Sequence, residues 1–487
     1  MSDKLINNFY NKLLFNLKFS NNLLFKDNSD KYSYNFVHQK IKKLLFYLKK
    51  YKNKNIMLMS DKSIGYYIAV ISIVFSGNTW IQISPNIPKT RIRQIAKISN
   101  SKIAIIDSSF KKNKIPKLKS VKKLELKKIF NQNKYSEIKI PKINKNKNAM
   151  IFFTSGSTGL PKGVQITYEN FISCLNHQIK NLDYTLQKET FSDYHDNSFV
   201  MSLVVIFPAI ILNSTISPIN KTIDKFFPSN HITNNKVSVL ITVPSFMLFM
   251  KQNLPNKKIY IKNIILCGEN FPPNILKLIN SKFSYKNLFN CYGSTETSPW
   301  AFFYKYKKKD NSLIKKMSQI PIGKPFKGVK IKIDHEKQLY ISGNIISPGY
   351  LDKSKKLDKG KFLKIKGRKF YNTGDVVVKK NNLYFCKGRN DTQIKIKGYR
   401  VDTTEIEKVV KKIKDIDYTY CYANNKNNSS YLVLIIISKL NLNKFEIVKY
   451  LQKFLPAYMI PQEILILKKI KFNKNGKVDK AYYKNNY

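Results

Sequence analysis

An apolar run, Ile151-Phe152-Phe153, leads into Thr154-Ser155-Gly156-Ser157-Thr158-Gly159 and on to Leu160-Pro161-Lys162. Such a loop offers bare backbone N–H groups and hydroxyls to phosphate oxygens, with Lys162 adding positive charge. The spacing of a Walker loop is absent, and a plain surface turn is the alternative. Asn290-Cys291-Tyr292-Gly293-Ser294-Thr295-Glu296 supplies an aromatic face, a hydroxyl and a carboxylate, the parts needed to stack a base and hold Mg²⁺ near phosphates. Tyr371-Asn372-Thr373-Gly374-Asp375 sets an acid behind a turn, suited to accept hydrogen bonds from ribose hydroxyls or simply to close an Asx-turn. Gly388-Arg389-Asn390-Asp391 marks a change in sequence pattern, and Asn475-Gly476-Lys477 puts a lysine after a turn near the end of the chain. In so lysine-rich a sequence, Lys477 carries no meaning alone.

The elements that must position these groups follow from hydrophobic periodicity. Short apolar runs at residues 56–60, 79–83, 102–107, 237–243 and 261–267 alternate with helical stretches such as 36–49 and 64–75. That alternation predicts an α/β fold with largely parallel, buried strands. Beyond residue 323, short strands with turn signals predict a smaller β-rich subdomain. From 390 onward the pattern reads strand, helix (405–413), two strands (417–422 and 431–437) and helix (442–454), enough for a separate α+β unit. Residues 111–147 read as a solvated connection around one or two short strands. The apolar run 199–212, broken by Ser202 and Pro208, is too short to span a bilayer and is expected to be a buried element.

At 487 residues the chain exceeds what one core supports, so at least two domains are expected. A formal charge of +58 invites a polyanion-binding reading. Yet five of the basic residues are Arg (Arg91, Arg93, Arg368, Arg389, Arg400), and the excess of Lys, Asn, Ile, Tyr and Phe matches AT-rich codon usage. Arginine is the usual reader of guanine edges and bidentate phosphates, so no nucleic-acid partner is expected. Five scattered cysteines without C-x-x-C spacing suggest neither a disulfide framework nor a zinc site. With no signal-like leader and no spanning segment, a cytoplasmic protein is expected.

In this order and wording, the five segments resemble core motifs of the adenylate-forming superfamily: acyl-CoA synthetases, luciferases and adenylation domains of nonribosomal peptide synthetases. Tyr32-Ser33-Tyr34, residues 76–85 and residues 455–461 resemble three further motifs, so the likeness covers nearly the whole chain. Cys267-Gly268-Glu269, the 290–296 segment and the 475–479 segment look most like amino-acid adenylation domains and D-alanine–carrier-protein ligases. The resemblance implies ATP and Mg²⁺, with a carboxylic acid converted to an acyl-AMP and then passed to a thiol. In similar enzymes the loop made here by Thr154, Ser155, Gly156, Ser157, Thr158, Gly159 and Lys162 holds the β- and γ-phosphates. Tyr292 stacks on adenine, with Asn290, Gly293 and Thr295 in the same nucleotide site, and Glu296 helps bind Mg²⁺. Asp375 and Arg389 hold the ribose, Asp391 is a hinge, and Lys477 bridges the α-phosphate and the substrate carboxylate. Thr154, Glu296 and Lys477 are thus the implied catalytic residues. The implied architecture is a large N-terminal AMP-binding domain, 1–388, and a small mobile C-terminal domain, 389–487, carrying Lys477.

One departure bears on the substrate. Amino-acid adenylation domains hold the substrate ammonium with the Asp of a Phe-Asp-x-Ser motif, and the gapless alignment puts Phe199-Val200-Met201-Ser202 there. A buried ammonium facing Val200 would go unpaired, so an acid lacking an α-amino group is expected. Asp196 takes the role if the alignment slips. Positions that line the acyl pocket in relatives fall on Phe199, Val200, Met201, Val204, Ile265, Cys267, Cys291, Pro299 and Trp300, which predicts an apolar acyl group. Asp402-Thr403-Thr404 also departs from the family wording beside the strand that faces the thiol. No phosphopantetheine site of the Asp-Ser-Leu type follows Lys477, so the acceptor is expected to be a separate acyl or peptidyl carrier protein in a specialised biosynthetic pathway. Coenzyme A as acceptor, an amino acid as substrate, and a polyanion-binding protein that retains the fold are the alternatives.

Overall fold

The computed structural model describes residues 2–156, 159–352, 354–396, 398–426, 429–440, 442–471 and 478–486. Among these, strands form six sheets, two of which dominate. The larger runs in the order Lys324–Pro325, Phe302–Lys305, Asn287–Tyr292, Asn263–Cys267, Val239–Thr242, Thr190–Asp193, Thr215–Pro218, Leu23–Lys26 and Lys31–Ser33. Its central pairings are parallel. The second orders Lys122–Glu125, Ile103–Ile106, Asn55–Met59, Thr79–Ile83, Asn148–Thr154 and Lys162–Thr167. It is parallel except for its last pair.

Both sheets are apolar on both faces because each is covered twice, as parallel sheets require. Period two divides the cores: Ile56 and Leu58 enter the central core, while Met57 and Met59 enter an outer one. In the larger sheet, Ile241 and Ile265 face the central core, and Leu240, Ile264 and Leu266 face outward. The central layer is helical, built from Ser2–Phe19, Tyr34–Leu48, Ile64–Phe75, Tyr168–Asn181 and Leu203–Ile211. Three of these helices start on side-chain caps, with Ser33 accepting from Phe36 N, Ser63 from Tyr66 N and Thr167 from Asn170 N. The helix Leu203–Ile211 is buried all round, and for that reason shows no polar stripe. No helix of the described residues is long and apolar enough to cross a membrane.

An antiparallel sheet containing Lys330–Ile333, Gln338–Ser342, Phe362–Ile365, Arg368–Lys380 and Leu383–Arg389 leans on the large domain. After Arg389 come a hairpin, Gln393–Ile396 with Tyr399–Asp402, and a three-stranded sheet of Tyr418–Lys426, Ser429–Ile437 and Glu463–Leu467 with its own cores. The fold is thus a mixed α/β arrangement in which a large part of layered sheets and helices is followed, after Arg389, by a small α+β part. Two local expectations need correction. The helix expected at 405–413 is Thr403–Val410, starting earlier because Asp402 caps it by accepting from Thr404 N. The lysine-rich stretch 111–147 holds, besides one strand, a helix, Leu126–Phe130, whose Leu126 and Ile129 are buried.

Candidate active site

The strand Asn148–Thr154 enters the candidate phosphate loop, and Lys162–Thr167 leaves it antiparallel, pairing Thr154 with Lys162 across its neck. A Cβ on Gly156 would lie 2.2 Å from Leu160 O, so the tight turn admits glycine alone. Lys162 is 7% exposed, and burial lowers its pKa against the pull of Asp402. Its ammonium stands 5.6 Å over the Tyr350 ring. Residues 157–158 lie outside the described residues, as does Lys477.

Across the C-terminal ends of the central strands sits the second group. Tyr292 donates to Asp375 at 2.5 Å, and the other Asp375 oxygen accepts from Arg389 at 2.7 Å. Arg389 also forks onto both oxygens of Asp391, at 2.8 Å each, which is the geometry that favours Arg over Lys. Burial pushes the Asp391 carboxyl up, but Arg389 and Lys361 outweigh it and bring the pKa down to about 2. Asn290 donates to Pro321 O, at the end of the same strand that carries Tyr292. Gly293 and Thr295 follow in the loop, Thr295 opening a 3-10 turn, Thr295–Thr297, whose backbone aims the 1%-exposed Glu296 inward. Glu296 accepts from Tyr350 Oη at 2.7 Å and from Arg400 at 2.8 Å. Burial raises its pKa, yet the Arg400 guanidinium and the Tyr350 hydroxyl prevail and leave it at about 2. Glu296 is therefore held as a buried anion whose charge is met by the Arg400 guanidinium in this arrangement.

Between the domains lies a cavity of about 510 Å³ walled by Phe199, Met201 and Cys267 on one side and by Gly398 and Tyr399 of the small domain on another. Val200, Val204, Ile265, Cys291, Pro299 and Trp300 are buried and form no part of its described wall. Asp196 is the one carboxylate among its lining residues. Its hydrogen bonds tie its own turn to a distant segment of the chain: one oxygen takes Ser198 N and Oγ, the other Ser84 Oγ and Asn86 Nδ2. Tyr399 stacks on Tyr458 and meets Phe199 edge-on, so the small domain forms part of the wall. Gly398, at φ +81°, brings its N–H within 2.5 Å of Glu269, and a Cβ there would strike Val243 at 2.6 Å. Lys395 of the same hairpin sits over the Tyr292 ring.

Sequence reasoning missed three participants. Tyr350 bonds Glu296, Lys361 pairs with Asp391, and Arg91 forms a buried ion pair with Glu405. The signal for Arg91 was its rarity, since arginine persists at few positions in this lysine-rich chain. Tyr350 and Lys361 carried none.

The comparisons with known proteins fall on this framework. The model of the family described as AMP-binding enzyme matches residues 17–351. A D-alanine–D-alanyl carrier protein ligase of Bacillus cytotoxicus is 28% identical over 458 residues, covering 87% of this chain and 88% of the relative. Bacitracin synthase 1 of Bacillus licheniformis is 26% identical over 452 residues, 88% of this chain but 8% of that synthase. Among solved structures, o-succinylbenzoate CoA synthetase of Bacillus subtilis superimposes with a TM-score of 0.84 at 18% identity, covering 98% of each chain. An adenylation domain of Vibrio cholerae, solved with glycyl-adenosine-5'-phosphate, gives 0.83 at 17% identity over 98% of this chain and 97% of that one. With a family match that spans both large sheets, the phosphate-loop candidate and Glu296, this chain belongs to the AMP-binding enzyme family of adenylate-forming ligases.

Proposed function

We propose that this ligase activates a carboxylic acid lacking an α-amino group and passes it to the phosphopantetheine thiol of a separate carrier protein. In the first step a carboxylate oxygen attacks the α-phosphorus of ATP, an O–P bond forms, and pyrophosphate leaves with the electrons of the broken P–O bond. In the second, the thiol sulfur attacks the acyl carbon, its proton is lost, and AMP departs as the C–O bond breaks. The observation that carries the substrate reading is the state of the cavity: its one lining carboxylate is already bonded four times, and Val200 packs into the core. An incoming ammonium would have to displace the hydroxyl, amide and N–H donors that already fill the acceptor sites of that carboxylate, or lose its hydration uncompensated.

Thr154, Ser155, Gly156, Ser157, Thr158, Gly159 and Lys162 hold the β- and γ-phosphates in this reading. Tyr292, Asn290, Gly293 and Thr295 form the adenine side, and Asp375 with Arg389 the ribose side. Glu296, buried and anionic, is fitted to hold Mg²⁺, which supplies positive charge against the phosphates when bound. Lys477 offsets the charge that develops at phosphorus; losing such a group costs on the order of 10²–10³ in rate. The domain boundary falls between 388 and 389, and Asp391 is the pivot. A carrier-protein acceptor is supported by the ligase relative that matches over most of both chains, and coenzyme A is the second candidate.

The test is acid-dependent pyrophosphate exchange into ATP, with each amino acid paired against its desamino, 2-oxo and 2-hydroxy counterparts. Turnover confined to acids without the ammonium is expected. Turnover with an amino acid would overthrow the role given to Val200, and loss of exchange in Lys477→Ala is the companion result.

A further inference from the structure

Helix Ser2–Phe19 buries Phe9, Tyr10, Leu13 and Leu17 in the central core, one stripe of its surface. Phe15 and Phe19, one turn apart, stand outside that core at 63% and 61% exposure, their ring centroids 5.2 Å from each other. Lys12, a turn before Phe15, is exposed, and Lys18 holds its ammonium 5.1 Å over the Phe19 ring. This surface continues onto helix Tyr34–Leu48. There, burial first and Lys42 second lower the pKa of His38, with Glu137 opposing and Lys18 adding to the effect. The Glu137 carboxyl is lowered in turn, first by its bond to Lys42 and further by Lys18, so both lysines face one spot. Lys42 also stands 5.1 Å over the ring of Tyr135, which is 62% exposed. Residues 4–26 and 31–60 contain no Asp or Glu, and no arginine precedes Arg91.

We propose that Phe15, Phe19 and Tyr135, framed by Lys18 and Lys42, form a docking face for an anionic lipid bilayer. Rings that stand out from the solvent side of a helix enter the boundary between headgroups and acyl chains, which yields to them. A protein partner would have to offer a matching pocket for each. Lysine suits this use, because its apolar stem lies along a ring while the ammonium stays at headgroup level, and Lys18 and Lys42 already lie over their rings in that way. The absence of arginine from this part of the chain argues against a nucleic-acid occupant, which bidentate guanidinium groups would read. The helix is held firmly enough to bear such a contact: Asn16 Nδ2 donates to the Ile210 and Ile211 carbonyls at 2.7 and 3.2 Å, at the end of helix Leu203–Ile211. The turn Val200–Ser202 leads into the other end of that helix and sets Met201 in the cavity wall. Docking face and cavity therefore lie at opposite ends of one buried helix, which leaves the cavity open to water when the face is on a bilayer.

The test is flotation of the full chain with vesicles. Vesicles of phosphatidylcholine with about one-third phosphatidylglycerol are expected to carry the protein, and vesicles of phosphatidylcholine alone are not, with binding that weakens as salt rises. Phe15→Ser combined with Phe19→Ser should lower the affinity at least about tenfold, and Lys18→Gln about fivefold. These changes touch exposed side chains only, so the wild-type Tm is expected to persist. Lys308→Gln with Lys309→Gln serves as the charge control, since both follow strand Phe302–Lys305 at the edge of the larger sheet far from Leu23–Lys26; it should leave the affinity within about twofold. Phe19→Trp reports insertion, because Trp80 and Trp300 are buried: its emission should shift to the blue and be quenched by lipids brominated on their acyl chains. Binding that survives loss of both phenylalanines, or that falls equally in the charge control, would reduce the attraction to overall charge and overturn the proposal. Retention by duplex DNA without vesicle binding would overturn it in favour of nucleic acid. Self-association abolished by the phenylalanine changes, again without vesicle binding, would overturn it in favour of a second copy of the chain.

Discussion

Tyr292 donates its hydroxyl to Asp375 at 2.5 Å, tying the candidate adenine residue to the candidate ribose residue. Arg389 holds the other oxygen of the same carboxylate. The acid is 5% exposed, so its charge is compensated by these two partners rather than by water. A site organised in this way binds its ligand with little reordering.

Replacing Asp375 by Asn removes the charge while keeping the shape. Arg389 retains Asp391, so the fold is expected to survive, with the loss falling on nucleotide binding. The KM for ATP in pyrophosphate exchange should rise roughly 10- to 100-fold, the usual cost of losing charge-assisted hydrogen bonds. An unchanged KM would remove Asp375 from the nucleotide site.

Val200 offers a sharper test of substrate class. It is 7% exposed and part of the central core. Val200→Asp buries a carboxylate without a partner, which costs several kcal/mol in the absence of an ammonium, about enough to lower Tm visibly. Addition of the amino-bearing counterpart of the native acid is expected to restore part of that Tm loss. No restoration with any amino acid would show that this side chain cannot reach the acyl site.

How much of this was legible beforehand depended on the range of the interaction. Strand Thr79–Ile83 and helix Ile64–Phe75 stood where periodicity put them, because local apolar spacing decides them. The helix Leu126–Phe130 was hidden by the lysines around its two buried residues. The 154–162 loop was readable because glycine and hydroxyl spacing leaves a local mark, whereas the turn expected before Asp375 is taken up into the strand Arg368–Lys380, with Gly374 at φ +74°. The bond from Tyr350 to Glu296 and the pair of Arg91 with Glu405 leave none, the second joining residues 314 positions apart. Val200 was visible as a departure, but its place behind the cavity wall depends on packing.

Acid sensitivity should follow His195, which lies on the cavity wall with Nε2 buried and unpartnered among the described residues. Burial first, and Lys62 second, lower its pKa from 6.5 to about 4, against Asp193 and the Ile241 carbonyl. Between those values the unfolded chain takes up a proton that the folded chain refuses. The stability His195 allows is therefore complete above pH 6.5 and is lost as pH falls toward about 4. Urea midpoints at about pH 7.5 and about pH 5 measure the drop, and His195→Gln should shrink it while carboxylates elsewhere cancel in the comparison. An identical drop in wild type and variant would assign the sensitivity to other groups.

Gly398 links backbone conformation to the second half-reaction. Its φ of +81° lies in the left-handed region, and an added Cβ would sit 2.6 Å from Val243 Cγ1, so alanine is disfavoured by both strain and collision. The hydrogen bond from Gly398 N to Glu269 exists because the hairpin packs against the large domain, and Glu269 is braced for it by Ser245 N and Oγ. Gly398→Ala should therefore weaken the closed arrangement while leaving the loop 154–162, Tyr292 and Asp375 untouched. The expected outcome is pyrophosphate exchange near the wild-type rate with single-turnover thiol transfer reduced at least about tenfold, since a displacement of about 1 Å from the reacting geometry has that scale of effect. Equal loss of both rates would mean that the hairpin also serves adenylation; equal retention would mean that thiol transfer proceeds without this contact.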